Sequence, residues 1–291
     1  MRIGNLNGRL QLFRGGGAVD VEQASAGRFA ADPQAVYERW DEFCQWASQE
    51  PGTPRPYAVT DLGPPAPRPA QSFGIGANYR SHAAEGGVEV PEWPMVFAKF
   101  VSSFTGPTGV ITLPAETVDW EVELVVVIGR RAFHVADDDG WSYVAGVTVG
   151  QDLSERSTQL RGPMPQMSMG KSFPGFSPTG PYLVTPDEFN DPNDLQLSCT
   201  LNGDVMQKAS TADLVHNVPV LIGELSEVLP LEPGDVIFTG TPEGVGFTRK
   251  PPRLLRPGDE LISRIEGVGE MRHSFAASSG EFALRSLVKE A

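Results

Sequence analysis

The sequence predicts a β-rich α+β fold in which a small N-terminal domain precedes a larger one. Three observations carry that prediction. The 32 glycines and 26 prolines of this 291-residue chain are dispersed and divide it into short segments. Its apolar runs are short and β-branched, as in Leu124-Val125-Val126-Val127-Ile128. These runs do not alternate regularly with helical patterns, which argues against a doubly wound parallel sheet.

The elements follow in order. Gly4 to Phe13 reads as a hairpin turning at Asn7-Gly8. A helix comes next, with Asp32 as N-cap, Pro33 at the first helical position, and Val36, Trp40, Phe43 and Ala47 on one face. The proline-rich stretch from Pro51 to Pro69 reads as a linker, so the domains are expected at 1–69 and 70–291. Strands are predicted at Glu123 to Ile128, Tyr143 to Val149, Tyr182 to Val184, Leu195 to Leu201, Val236 to Thr239 and Glu260 to Glu266, with Asn202-Gly203 as a second hairpin turn. One further helix is predicted from Pro219 through Leu225, entered from Asn217 and burying Leu221, Ile222 and Leu225.

Composition narrows the function. With 23 basic and 37 acidic residues the formal charge is −14, which argues against broad nucleic-acid binding. The two cysteines, Cys44 and Cys199, imply neither a disulfide framework nor a thiolate metal site, and suit a reducing cytoplasm. No apolar run approaches membrane-spanning length. A soluble cytoplasmic protein with a small-molecule partner, and neither a nucleic-acid nor a membrane partner, is expected.

The most informative segment is Asp119-Trp120-Glu121-Val122-Glu123, which places three carboxylates at alternate positions before a β-branched run. In a strand they share one face and repel one another as they leave water. An oxygen-ligated hard cation relieves that repulsion, and an exposed acidic strand end avoids it; the segment alone leaves both open. Asp152, just past the strand Tyr143 to Val149, can join Glu121 and Glu123 at one rim of a sheet, leaving positions for substrate oxygens and water.

Other segments supply further chemistry. Gly74-Ile75-Gly76-Ala77-Asn78-Tyr79 begins like a dinucleotide fingerprint, but Tyr79 fills the third glycine position and disfavours that reading. His82 and Glu85 are three apart, so on a helical turn the carboxylate can orient the imidazole as a general base; the alternative is an ordinary surface histidine. Lys99 and Lys171, two of only five lysines, lie in stretches of low charge, and Arg156 and Gln159 follow Asp152. Beside a metal such groups can bind a substrate carboxylate or stabilise an enolate. Thr239-Gly240-Thr241-Pro242-Glu243-Gly244-Val245-Gly246 offers amides and hydroxyls for a carboxylate or oxyanion, or forms a tight structural turn.

Taken together and in this order, these segments resemble the fumarylacetoacetate hydrolase family. The resemblance rests on Gly76-Ala77-Asn78-Tyr79 with His82 and Glu85, Phe97-Ala98-Lys99, Asp119-Trp120-Glu121-Val122-Glu123-Leu124, Gln151-Asp152-Leu153-Ser154-Glu155-Arg156, Gly170-Lys171-Ser172-Phe173, Leu201-Asn202-Gly203 and Gly240-Thr241-Pro242-Glu243-Gly244-Val245-Gly246. It covers roughly residues 70 to 275. It implies a large domain of twisted mixed β-sheets in a roll or sandwich around the site, and a homodimer. It also implies Mg2+ or Mn2+ held by Glu121, Glu123 and Asp152, with Asp119 outside the ligand set. His82 and Glu85 match the base pair of acylpyruvate-cleaving members, Lys171 matches a substrate-contacting lysine, and Gln159 and Thr241 match pocket positions.

The reaction this implies is hydrolysis of a carbon–carbon bond in an acylpyruvate-like 2,4-dioxo acid. The metal stabilises an enolate while water activated by His82 attacks the distal carbonyl. Decarboxylation or isomerisation of a related 2-oxo acid needs the enolate without the water, and a non-catalytic metal-stabilised binding module needs neither. Two departures stand out. Ala77 replaces a basic residue of some acylpyruvate-cleaving relatives, and Pro174-Gly175 stands where an acid is common. Leu160 to Met169, holding three of the seven methionines, reads equally as a mobile wall for an apolar substrate tail and as an irregular surface loop.

Overall fold

A computed structural model describes residues 1–278, without the side chains of residues 137 and 138; the expected end of the large domain, 279–291, lies outside the described residues. Strands dominate. The chain begins with β1 (Arg2–Leu6), β2 (Arg9–Arg14) and β3 (Gly17–Asp20), then α1 (Trp40–Ala47), β4 (Ser72–Gly76), α2 (Arg80–Gly86), β5 (Met95–Ala98) and β6 (Thr108–Leu113). It continues through β7 (Val118–Asp119), β8 (Val122–Ile128), β9 (Val144–Gln151), β10 (Ser154–Glu155), β11 (Ser177–Val184), β12 (Gln196–Leu201) and β13 (Asp204–Ser210). After α3 (Val218–Val228) come β14 (Val236–Phe238), β15 (Glu260–Ile265) and β16 (Gly269–Ala277). No helix among the described residues is long and apolar enough to cross a membrane.

Among the described residues the strands form an eleven-stranded mixed sheet, whose main path runs β3-β2-β1-β11-β9-β8-β14-β4-β5, and a five-stranded sheet ordered β13-β12-β15-β16-β6. Most pairs are antiparallel, with β14 parallel to β4 and β16 parallel to β6. The short pair β7 and β10 stands apart at the entrance to β8.

Strand β8 shows how the layers meet. Its even residues Val122, Leu124, Val126 and Ile128 pack with Leu197, Cys199, Leu261 and Met271 of the five-stranded sheet. Its odd residues Val125 and Val127 pack with Ile3, Leu12, Trp40 and Phe43 of the N-terminal segment. A strand covered on both faces reads as a continuous apolar run, as this one does. The odd face is also the one that Glu121 and Glu123 share by alternation.

The N-terminal segment belongs to this sheet. Arg2 and Ile3 of β1 pair with Val184 and Leu183 of β11, so the boundary expected after residue 69 falls inside one hydrogen-bonded sheet and a shared core. The proline-rich stretch packs along it as well. Arg55 and Ala18 exchange backbone bonds, and the Tyr37 hydroxyl donates to the Pro65 carbonyl at 3.1 Å.

Both Asn-Gly turns form as expected, with Asn7 and Gly8 at φ +53° and +79°, and Asn202 and Gly203 at +53° and +90°. The helix through residue 225 also forms, capped by Asn217 Oδ1 on the Val220 amide. The first helix starts later than expected. Asp32 Oδ1 accepts from the Gln34 amide in a local turn and carries Arg68, so α-helical geometry begins only at Trp40. Its expected apolar face, Val36, Trp40, Phe43 and Ala47, is nevertheless buried.

His273 on β16 makes the fold acid-sensitive. Its Nε2–H donates to the Gly106 carbonyl at 3.0 Å, and burial holds the ring's pKa down from 6.5 to about 4. Between those pH values the unfolded chain binds a proton that the folded chain does not, so stability falls as pH is lowered through the window, by about 3 kcal/mol in full. His273→Gln is expected to flatten that part of a Tm-against-pH profile measured from pH 7 to 4. A slope unchanged from the parent would remove His273 as its cause.

Candidate metal centre

The strand is interrupted between Asp119 and Val122, so Glu121 lies in the break and Glu123 within β8. Between β7 and β8, three successive amides donate to side chains: Trp120 to Asp119 Oδ1 at 2.9 Å, Glu121 to Gln151 Oε1 at 2.8 Å and Val122 to Gln207 Oε1 at 3.0 Å. The chain thereby keeps its buried amides satisfied while bending away from a regular ladder. Across from it β9 ends at Gln151, which pairs with Val122, and the Asp152 amide donates to the Glu121 carbonyl at 2.9 Å. This brings Asp152 to Glu121 and Glu123, with one carboxylate oxygen of each within 4.8 Å of the others, and all three residues are buried.

Cations surround the triad unevenly. Lys171 Nζ donates to Glu121 Oε2 at 2.6 Å and Asp152 Oδ2 at 2.7 Å. Lys99, fully enclosed, pairs with Asp152 and donates to the Lys171 carbonyl. Arg156 bridges Glu121 and Asp119, each at 2.7 Å, and donates to Gln159 Oε1 at 2.8 Å. Burial opposes ionisation of Glu121, but Lys171 and Arg156 outweigh it and hold the carboxyl down at about 2. Glu123 is the opposite case. Burial, then repulsion from Asp152 and Glu121, pushes its pKa well above the usual carboxylate range, and its stabilising bond is to the Gly240 amide at 2.8 Å.

Glu123 is the test of whether a cation fits. Among the described residues, four acids (Asp119, Glu121, Glu123, Asp152) and three bases (Lys99, Lys171, Arg156) stand around the triad, a surplus of one negative charge. A buried carboxylate without a basic partner is neutralised by a proton or by a metal ion. All-oxygen donors from three carboxylates suit Mg2+ or Mn2+, which take water or substrate oxygens as their further ligands. The residues present fit such an ion.

His82 and Glu85 both lie on α2. His82 Nδ1 stands 3.5 Å from Glu85 Oε2, both side chains about one-fifth exposed, and Gly87 ends the helix at φ +66°. The Glu85 carboxyl is opposed by burial but held below its ordinary pKa by His82, Thr248 and the Gly244 amide. The His82 ring also helps to lower the Glu121 carboxyl, which puts it within electrostatic reach of the triad. Ala77, just before this helix, has a left-handed φ of +52°, a strained choice for alanine and common near functional sites.

The loop from Thr239 to Gly246 does hold carboxylates, and they are the protein's own. Gly240 N–H donates to Glu123, Gly244 N–H to both oxygens of Glu85 at 3.1 Å, and Gly246 N–H to Asp119 at 2.7 Å. The Thr241 hydroxyl donates to the Val122 carbonyl at 2.9 Å and accepts from Gln207 Nε2 at 2.8 Å. Gln159 Nε2 donates to Met167 Sδ at 2.8 Å, and the stretch before Met167 is exposed, Met164 at 70%. Thus Lys99, Arg156, Gln159 and Thr241, read from sequence as substrate contacts, have their polar groups engaged by neighbouring protein atoms. Sequence reasoning gave no role to Gln151 or Gln207: Gln151 ends the apolar strand β9, and Gln207 lies in the mixed strand β13, where no local pattern marks it.

The fold is β-rich, three buried carboxylates converge closely enough to hold a cation, and a histidine and a carboxylate stand together on α2, an arrangement that suits a metal-dependent enzyme. Comparison with known proteins then places the chain. Residues 71–276 match the model of the fumarylacetoacetate (FAA) hydrolase C-terminal family. The chain belongs to the fumarylacetoacetate hydrolase family. It is 45% identical over 225 residues to the mitochondrial oxaloacetate tautomerase Fahd2a of Rattus norvegicus, covering 77% of this chain and 71% of the relative. Among solved structures, a putative HpcE protein from Mycobacterium smegmatis is similar at 52% identity, with a TM-score of 0.92 and coverage of 96% of this chain and all of that one. A maleylpyruvate hydrolase from Sphingobium sp. SYK-6, in complex with manganese(II) ion and pyruvate, is 29% identical with a TM-score of 0.76, covering 96% of this chain and 100% of its own. The family thus includes hydrolases, isomerases and an oxaloacetate tautomerase.

Proposed function

We propose that this protein is a Mg2+- or Mn2+-dependent enzyme that carries 2-oxo acids through an enolate, with His82 as the base. The observation that carries this reading is the charge balance of the buried triad. One surplus negative charge becomes one positive charge when a divalent ion is added, and a 2-oxo acid brings the carboxylate that balances it. The ion, when bound, supplies positive charge that lowers the cost of forming the enolate.

The chain's own residues do the rest. Glu85, fixed by the Gly244 amide, places its charge 3.5 Å from His82 Nδ1, which favours a proton on that nitrogen and leaves Nε2 to accept one from the substrate. Lys171 and Arg156 keep Glu121 ionised, so the triad stays negative when it meets a cation. Proton removal and return at the carbon beside the carbonyl is keto–enol tautomerisation, the reaction favoured by the 45% identical oxaloacetate tautomerase.

A second reading uses the same enolate. His82 deprotonates a water that attacks the distal carbonyl of a 2,4-dioxo acid, releasing a carboxylic acid and a smaller 2-oxo acid. The maleylpyruvate hydrolase with pyruvate supports it. Two assays with Mg2+ decide between them. Faster loss of the enol absorbance of oxaloacetate, without pyruvate release from acylpyruvates, is the expected result for a tautomerase. Stoichiometric pyruvate and carboxylic acid from an acylpyruvate establish hydrolysis. Absence of both activities, or activity that survives removal of divalent ions by chelation and dialysis, overturns the function.

A further inference from the structure

We propose that Gln207 is a positioning residue that fixes the loop Thr239 to Gly246 as one bridge between the carboxylate triad and the His82–Glu85 pair. The inference rests on the catalytic reading above only for its activity measurements.

The loop touches both parts of the site through its backbone. Its start holds the ligand Glu123 on the Gly240 amide, and four residues on it holds Glu85 on the Gly244 amide. The span between is secured by Gln207, which is 1% exposed on β13. Gln207 Nε2 donates to Thr241 Oγ1 at 2.8 Å and to the Pro242 carbonyl at 2.9 Å, while its Oε1 accepts from the Val122 amide at 3.0 Å. The Thr241 hydroxyl closes a ring by donating to the Val122 carbonyl at 2.9 Å. Val122 lies between the two glutamates of the triad, so one amide side chain ties the ligand strand to the loop that sets the base.

The residue type matters. Only a neutral primary amide offers an acceptor for Val122 and two donors for Thr241 and Pro242. Glutamate lacks the donors and leucine lacks both. The loop also lies directly on β13: a Cβ at Gly244, where φ is +101°, would stand 2.1 Å from the Met206 carbonyl oxygen. That close approach leaves no slack to absorb a lost hydrogen bond, and it makes the loop position a function of β13.

The test uses the full chain with and without Mn2+. In Gln207→Leu, amide exchange across residues 239–247 is expected to quicken at least tenfold, with 124–128 and 144–149 unchanged. The kcat is expected to fall about 10²-fold with KM within threefold, the scale of a small misplacement of reacting groups. In a Glu85→Gln background the same change is expected to cost less than threefold further, because the oriented base is already lost. A purely structural role would multiply the two losses in full. Gln207→Glu, which keeps the acceptor, gives the same pattern at smaller size should the leucine variant fail to fold. Unchanged exchange over 239–247, or an undiminished loss in the Glu85→Gln background, overturns the proposal. If the parent turns over no 2-oxo acid, the catalytic reading fails and the exchange measurement alone decides the role of Gln207.

Discussion

Replacing His82 with alanine is expected to lower kcat by about 10³-fold, in the range of a lost general base, while Mn2+ binding measured by calorimetry stays within threefold. The separation follows from geometry. His82 stands with Glu85 on α2 and is outside the set of oxygens that converge within 4.8 Å, so the triad does not need the ring to hold an ion. Glu85→Gln keeps the base and loses its orienting charge, and a smaller fall of about 10- to 100-fold is expected. Turnover above one-tenth of the parent in the alanine variant would remove His82 from the mechanism, as would loss of metal binding in parallel with activity.

Glu123→Gln is expected to have opposite effects with and without metal. Without added ion, the parent buries a carboxylate that lacks a basic partner among the described residues and has a raised pKa. A raised carboxyl pKa means the folded state holds the proton longer than the unfolded one, so its stability is present at low pH and lost as pH rises through the folded value. The amide of glutamine carries no charge and escapes that loss. At pH 8 in chelator the variant is therefore expected to melt above the parent. With saturating Mn2+ the order reverses, because the parent gains binding energy and the variant has lost a ligand. Calorimetric Mn2+ affinity should fall at least 10²-fold in the variant, and in the parent it should weaken as pH is lowered and the proton competes. A variant less stable than the parent in chelator would show that Glu123 is already neutralised within the protein.

Much of this arrangement was legible in the sequence, for local reasons. The period of two that places Glu121 and Glu123 on one face is a property of any strand, and the Asn-Gly turns and the Asn217 cap are short-range chemistry. The joining of Asp152 to the other two acids follows from strand ends meeting at one rim. What was not legible depends on pairing at long range. Strands β4 and β6 lack strong alternation, and each pairs in parallel with a strand far along the chain. The pairing of Arg2 with Val184 could not be inferred from a proline-rich stretch that reads as a linker. Lys99 and Arg156 were visible as cations in the right neighbourhood, but whether a side chain faces substrate or protein is fixed by packing. Gln207 was invisible because its three partners, Val122, Thr241 and Pro242, lie in two segments distant from it in the chain.

The shared core of β8 has a consequence for modularity. The stretch that matches the family model begins at residue 71, yet Val125, Val127 and Phe238 within it are covered by Ile3, Trp40 and Phe43 from before that point. The early residues act as the outer wall of the sheet that carries the acids, and a chain cut at 71 would leave that wall open to water and to other exposed sheets. In evolutionary terms the matched stretch is no portable cassette. Recombination that swaps the first seventy residues has to carry over a complementary apolar surface, and the ligand strand inherits its rigidity from a region that contributes no ligand.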